Sequence, residues 1–178
     1  MTPNFRNLSL LPLLGALAAF TLAPAAWAED TAVQEDAARA MQRGERLVQE
    51  GHYREATAEF ERASELGGGP CPDCLLGAGR AYSGARQFDP ALQVTRMALA
   101  LFSSPDDQAR AYDQLGTILA LKGEMNAARE AFGKAVQLDG RMEGQVRSSL
   151  AEALLKRANY AQAPQATDAA AAVASAPR

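Results

Sequence analysis

The sequence predicts an all-α protein assembled from three repeated helix pairs. Three observations support this fold class: several positions recur in register, the apolar residues follow helical spacing, and the composition favours helices. Hydrophobic residues make up 48% of the 178 residues while aromatic residues make up only 6%, so that much of the apolar content is alanine. Alanine has the highest helix propensity and lets helix axes approach closely. No segment has the alternating pattern of a strand.

The first segment, residues 1–28, has the features of a secretory signal peptide. Arg6 gives a weakly positive start, an apolar stretch follows, and the Ala-Trp-Ala of residues 26–28 fits the cleavage rule, with cleavage before Glu29. The alternative is a membrane anchor, but the apolar stretch is shorter than the ~20 residues that span a bilayer. We expect a mature protein that is periplasmic or secreted, without membrane insertion after cleavage, and a Gram-negative bacterial source.

An internal repeat follows, in which five columns of residues recur at intervals of 35 and then 37 residues. Such a period is typical of repeat proteins. The columns are Gly44, Gly79 and Gly116; Leu47, Tyr82 and Leu119; Ala56, Ala91 and Ala128; Phe60, Thr95 and Phe132; and Ala63, Ala98 and Ala135. Glycine costs roughly 1 kcal/mol in a helix interior, so its recurrence in the first helix predicts a close helix–helix contact. The second helix carries its alanines and its large residue on one stripe.

These columns resemble the tetratricopeptide repeat (TPR) family, whose 34-residue unit has Gly, Tyr, Ala, Phe, Ala and Pro at these offsets. The resemblance implies a right-handed superhelical solenoid of three helix pairs, with units at about 37–70, 72–105 and 109–142. Two family positions differ here, the first-helix Trp and the terminal Pro. In the three units they hold Ala40, Leu75 and Tyr112, and Gly68, Ser103 and Gly140. The resemblance covers about three-fifths of the chain and is specific for architecture, not for function.

Two further segments complete the predicted organisation. Residues 143–160 continue as a helix that we interpret as the cap of the solenoid, shielding the last unit from water. Its apolar side is formed by Val146, Leu150, Leu154 and Leu155. Together with the units this cap gives one TPR domain over residues 29–160. The alanine-rich tail, residues 161–178, has no large apolar side chain to dock it and is predicted to be disordered.

The resemblance also implies a concave groove, lined by the first helices, that binds a partner protein or peptide. The predicted groove residues are Met41, Glu45, Val48, Asp73, Leu76, Arg80, Arg110, Asp113, Thr117, Leu121, Arg147 and Leu154. They mix apolar patches with both signs of charge, which suits a peptide or helix of mixed character. The alternative is a solvated network formed within this set by Asp73, Arg80, Arg110, Asp113 and Arg147. Members of the family that bind chaperone tails hold the terminal carboxylate with a clamp of Lys and Asn side chains. Met41 and Glu45 do not supply such a clamp, so this ligand is disfavoured.

The Cys-Pro-Asp-Cys of residues 71–74 is the one motif with chemical potential. It lies at the start of a helix, where the helix dipole favours a thiolate on Cys71, while Asp73 opposes one. Three states stay open for Cys71 and Cys74. An oxidising compartment favours a structural disulfide, a redox or mixed-disulfide role is the second possibility, and free thiols are the third. Thiol oxidoreductases place this motif in a strand–helix setting that the sequence does not predict.

Several other kinds of site are disfavoured. The net charge of −3 has no basic run, which argues against a nucleic-acid partner. A metal site needs three or four ligands, and the single histidine, His52, is far from the cysteines along the chain. Leu75 follows the second cysteine where haem attachment requires histidine. With no cofactor motif and no nucleophile–base pair, we expect no enzyme.

The sequence thus predicts a non-enzymatic periplasmic adaptor that binds a partner protein or peptide in its groove. An accessory role in thiol–disulfide chemistry is the alternative, as a docking unit for a thioredoxin-like partner or in cytochrome c maturation. A purely structural role in an envelope assembly has the same fold and stays open. The partner and the oligomeric state are not encoded in any motif.

Overall fold

The computed structural model describes the backbone of residues 24–174 and the side chains of residues 32–161. Within these limits the chain forms α-helices and one short 3-10 helix, Gly140–Met142, and no strand. The helices are α1 (Pro24–Glu50), α2 (Tyr53–Leu66), α3 (Pro72–Gly84), α4 (Phe88–Leu101), α5 (Pro105–Lys122), α6 (Met125–Leu138) and α7 (Glu143–Ala174). The predicted all-α fold is confirmed.

The helices stack as three consecutive hairpins. α1 packs on α2, α3 on α4, and α5 on α6, and successive hairpins meet where α2 contacts α3 and α4 contacts α5. In addition α1, α3, α5 and α7 contact one another in that order, which places the first helix of every pair in one layer. The result is a helical solenoid, with α7 continuing the layer of first helices beyond the third hairpin.

The turn inside each hairpin occupies the same repeat position. Gly51 and Gly123 adopt φ angles of 83° and 98°, in the left-handed region that glycine enters without steric cost. The equivalent residue of the second hairpin is Arg86, with φ 62°. For a residue with a Cβ this conformation costs roughly 1–2 kcal/mol. The Arg86 guanidinium lies 4.5 Å from the centre of the Tyr160 ring on α7, a cation–π contact that helps to hold it there.

The recurring glycines mark close packing between helices, as their spacing predicts. Phe60 is 1% exposed, and a Cβ on Gly44 would lie 2.9 Å from its ring. A Cβ on Gly77, in the next unit, would lie closer still to the same ring. Phe132 occupies the corresponding place in the third unit, 2.7 Å from a Cβ on Gly116. Each phenylalanine thus fills space that only the missing glycine side chains leave open.

The second unit solves the same packing problem with polar groups. Thr95, fully buried, replaces the phenylalanine, and Gln114 stands at the position that Gly77 holds one unit earlier. The Gln114 amide donates to the Thr95 hydroxyl at 3.3 Å and to the Leu76 carbonyl at 2.8 Å. The longer glutamine side chain therefore fills the volume that the smaller threonine leaves, and the buried threonine hydroxyl is paired with the half-buried Gln114 amide.

α7 caps the solenoid through a narrower face than the sequence predicts. Val146 and Leu150 pack against the core of the third unit, and Ala153 is buried. Leu154 and Leu155, expected on the same side, are 43% and 68% exposed. Successive residues are about 100° apart around an α-helix. Leu154 and Leu155 therefore point away from the face on which Val146, Leu150 and Ala153 contact the third unit.

The described backbone does not reach either end of the chain. Residues 1–23 and 175–178 lie outside the described residues, so the predicted leader over 1–28 and its cleavage stay a prediction. The backbone of α7 is helical to Ala174. The disordered tail over 161–178 stays a prediction. Across residues 24–174, every helix is too short or too polar to cross a bilayer.

Candidate functional site

The layer of first helices encloses a concave cavity of about 730 Å³. Side chains from α1, α3 and α5 form its wall, and the 3-10 helix and α7 close it on the far side. Its lining consists of Met41, Glu45, Asp73, Leu76, Arg80, Ser83, Arg110, Asp113, Gln114, Thr117, Ile118, Met142 and Gln145. This volume falls within the range of ligand-binding pockets in proteins, and the lining mixes apolar and polar groups as such pockets do. We refer to this cavity as the groove.

The structure brings most of the predicted residues together. Eight of the twelve line the groove: Met41, Glu45, Asp73, Leu76, Arg80, Arg110, Asp113 and Thr117. Val48 and Leu121 line a second cavity of about 250 Å³, which shares Arg80 and Thr117 with the groove. Arg147 and Leu154 line neither cavity. α7 instead presents Gln145 to the groove, and Ser149, Glu152 and Lys156 to the second cavity.

The charged side chains of the groove form ion pairs between successive units. Arg80 pairs with Glu45, and Arg110 pairs with Asp73 at 3.0 Å. In each pair the two residues hold the same position of their units, 35 and 37 residues apart. All four side chains are between about one-third and one-half exposed, so each pair contributes at most about 1 kcal/mol. These pairs orient the charges along the groove more than they stabilise the fold.

The predicted alternative, a solvated network, is found only in part. Among its five members only Asp73 and Arg110 pair with each other; Arg147 pairs instead with Glu143, one turn earlier on α7, at 2.9 Å. Hydrogen bonds to Asp107 and then to Asp73 hold the pKa of Arg110 above its ordinary value. The Arg110 guanidinium therefore stays charged and is held by two carboxylates.

Asp113 differs from the other carboxylates of the groove. Its Oδ2 accepts a hydrogen bond from the Ser149 hydroxyl at 3.0 Å, whereas its Oδ1 is buried and has no hydrogen-bond partner among the described residues. Burial raises the pKa of the Asp113 carboxyl above its usual value, and the bond from Ser149 opposes that rise. Since burial disfavours the charged form, this carboxylate is held in a costly state in the free protein.

Sequence reasoning missed five residues that line the groove, namely Ser83, Gln114, Ile118, Met142 and Gln145, and it also missed Ser149 of the second cavity. The repeat contains a signal for Gln114 and for Ser149. Ser149 stands 36 residues after Asp113, close to the period at which neighbouring units place residues face to face. Gln114 replaces a glycine of the preceding unit, which indicates a local change in packing. Met142, at the end of the 3-10 helix, and Gln145, in the first turn of α7, also line the groove. No spacing in the sequence predicts the 3-10 helix that separates α6 from α7.

The cysteine motif lies at the edge of the groove. Cys71 is the N-cap of α3, and its sulfur accepts a hydrogen bond from the Cys74 backbone N–H at 3.0 Å. The two Cα atoms are 5.2 Å apart and the two sulfurs are close enough to bond. Cys74 is 2% exposed, whereas Cys71 is half-buried. Asp73, expected to oppose a thiolate, is paired with Arg110, which offsets its charge.

The described residues contain no cluster of three or more His, Cys, Asp or Glu side chains that could hold a metal ion. The sequence matches no family model and no curated protein. Among solved structures it is similar to the C-terminal TPR-containing domain of a Plasmodium falciparum chain designated an FK506-binding protein. The TM-score is 0.53 at 16% identity, over 75% of this chain and 95% of that one. At this identity the likeness shows the fold alone, and that fold is a TPR-type helical solenoid.

Proposed function

We propose that this protein is a non-enzymatic adaptor of the bacterial periplasm that binds a partner protein or peptide in its groove. The observation that carries the proposal is the groove itself: three successive first helices and α7 surround one cavity of about 730 Å³. Apolar and charged side chains alternate along it, which suits an extended or helical peptide. The TPR-type fold supports the same conclusion, because stacked helix pairs create extended concave binding surfaces.

The groove assignment is tested by charge reversal. We expect Arg80→Glu with Arg110→Glu to weaken partner capture, since it places like charges beside Glu45 and Asp73. The matched control is Arg62→Glu with Arg129→Glu, which changes the net charge equally on exposed positions of α2 and α6 outside the groove.

The measurement is pull-down from periplasmic extract followed by quantitative mass spectrometry, with helicity and melting temperature recorded for each variant. A protein that wild type and control recover, and that the groove variant loses, is the expected result. Equal recovery by the groove variant and the control would remove the groove assignment. For the location, we expect the protein to fractionate with the periplasm and to begin at Glu29 when its N-terminus is sequenced.

A second candidate function is an accessory role in thiol–disulfide chemistry. Two observations favour it: Cys71 is accessible at the start of α3, and Arg110 offsets the carboxylate of Asp73. In a Cys74→Ser variant, the Cys71 thiolate would attack a disulfide of a thioredoxin-like partner and displace one partner thiolate. The mixed disulfide would then persist, because the resolving cysteine is gone.

A covalent adduct on a non-reducing gel, absent from a Cys71→Ser variant, is the result expected for this second function. Absence of any adduct in periplasmic extract argues for a local disulfide that only fastens the start of α3.

A further inference from the structure

Asp113 is a polar group in the groove that the chain leaves incompletely satisfied. The Ser149 hydroxyl donates to one carboxylate oxygen, and the other oxygen has no partner among the described residues. Buried polar atoms without partners are rare in folded proteins, because each costs the free energy of its lost hydration. A ligand in the groove that donates a hydrogen bond to this oxygen would replace the hydrogen bond to water that the oxygen lost on folding.

The basic side chains of the groove are not available to neutralise Asp113. Arg80 is paired with Glu45, and Arg110 is paired with Asp73. The groove lining therefore holds three carboxylates against two guanidinium groups, and Asp113 is the carboxylate left over. A positive charge that meets Asp113 has to come from the occupant of the groove.

The two preceding units show what lies beside this charge. Met41 and Leu76 hold the same repeat position as Asp113, so this column runs apolar, apolar, acidic along the groove. The unpartnered oxygen is itself buried, so a ligand meets it only when the carboxyl group turns away from its present orientation about its last torsion, which is broad for aspartate. A matching occupant presents apolar side chains to α1 and α3 and a cation to α5.

We propose that the partner segment carries a lysine or arginine side chain that donates to Asp113, with an adjoining apolar side chain packed on the half-buried Met41, beside the small part of Leu76 that the core leaves accessible. This inference rests on the proposed function, because it specifies the chemistry of the segment that the groove binds. A charge-assisted hydrogen bond of this kind is among the strong ones in proteins.

The test is selection of a displayed library of random short peptides on the full chain. Three proteins are compared: the wild type, Asp113→Asn, and the control Asp106→Asn. Asp106 lies on the same helix, is exposed, pairs with Arg141 at 3.0 Å and does not line the groove. We expect wild type and control to select peptides with one basic residue beside apolar ones, and Asp113→Asn to lose that basic preference.

A selected peptide is then synthesised and its affinity measured for all three proteins. The expected loss for Asp113→Asn is about tenfold or more, the contribution of one hydrogen bond between charged groups. Replacing the basic residue of the peptide by glutamine should cost as much on the wild type and little on Asp113→Asn. Circular dichroism and melting curves confirm that the variants are folded.

Two contrary results have different meanings. If Asp113→Asn keeps the basic preference and the affinity, this inference is overturned while the groove remains a binding site. If no selected peptide is weakened by Arg80→Glu with Arg110→Glu, the proposed function fails and this inference fails with it.

Discussion

Adding a single methyl group at Gly116 tests the packing that defines the solenoid. In Gly116→Ala the new Cβ would lie 2.7 Å from two carbons of the Phe132 ring, whereas non-bonded carbons prefer about 3.5–4.0 Å. The ring would have to retreat by about 0.8 Å, and at 5% exposure it has no open space to enter. Overpacking of this kind costs about 1–3 kcal/mol, and the gain in helix propensity returns up to about 1 kcal/mol.

We therefore expect Gly116→Ala to lower the free energy of unfolding by about 1–2 kcal/mol, or the melting temperature by about 2–8 °C in a chain of this size. The matched control is Gly133→Ala, next to Phe132 in sequence but with no atom within 4 Å of the new Cβ. It should gain up to about 1 kcal/mol, since alanine replaces glycine in an exposed helix position.

Chemical denaturation followed by circular dichroism measures both changes. A double-mutant cycle with Phe132→Leu identifies the cause, because the shorter side chain removes the ring carbons that the Cβ would meet. If Gly116→Ala is as stable as Gly133→Ala, or costs the same with and without the ring, the close-packing explanation of the glycine column is wrong.

Three further predictions follow from other contacts. If Cys71 and Cys74 form a disulfide, reduction should lower the free energy of unfolding by about 2 kcal/mol, which is the chain-entropy value for so short a loop. Thermal melting with and without a reductant measures this change. An unchanged melting temperature would show that the thiols are free. Burial raises the folded-state pKa of Asp113, so Asp113→Asn should be more stable than wild type at pH 7. The difference in the free energy of unfolding should shrink as the pH falls toward the unfolded-state pKa of about 3.9. A difference that grows on acidification would contradict the raised pKa. Thr95→Phe should destabilise the protein, because Gln114 occupies the space that the new ring needs. Adding Gln114→Gly should reduce this loss of stability in the double variant. If the two substitutions change the free energy of unfolding additively in urea denaturation, Gln114 and a residue-95 ring do not compete for the same space.

The repeat columns predicted the fold because they report spacing, and spacing determines which side chains meet between stacked helices. Gly44 and Gly116 indicated close contacts, and the structure places Phe60 and Phe132 against them. The second unit shows the limit of this reasoning. Thr95 in the phenylalanine column looks like a loss of packing, and only the structure shows that Gln114 makes up the volume and satisfies the hydroxyl.

The groove was predictable to a similar degree and for a similar reason. Positions that face inward in one unit face inward in the next, and Met41 and Leu76, assigned from the resemblance to the TPR family, both line the cavity. α7 departs from this pattern. Arg147 and Leu154 were expected in the groove but line neither cavity, whereas Gln145 lines the groove and Ser149 lines the second cavity. The 3-10 helix Gly140–Met142 interrupts the chain between the third unit and α7. An irregular turn changes which face of the following helix is buried, so the repeat period of the units cannot be extended across it to α7.

The sequence pattern did not predict which charged side chains form ion pairs. Ion pairing determines which charged group of the groove is available to a ligand. Asp73 and Asp113 were both predicted as acidic groove residues, yet one is paired with Arg110 and the other keeps an unpartnered oxygen. An unpartnered carboxylate lowers the stability of the free protein, and an incoming donor recovers that free energy as affinity. Asp113→Asn should therefore shift stability and binding in opposite directions, whereas a residue with a purely structural role would shift both the same way.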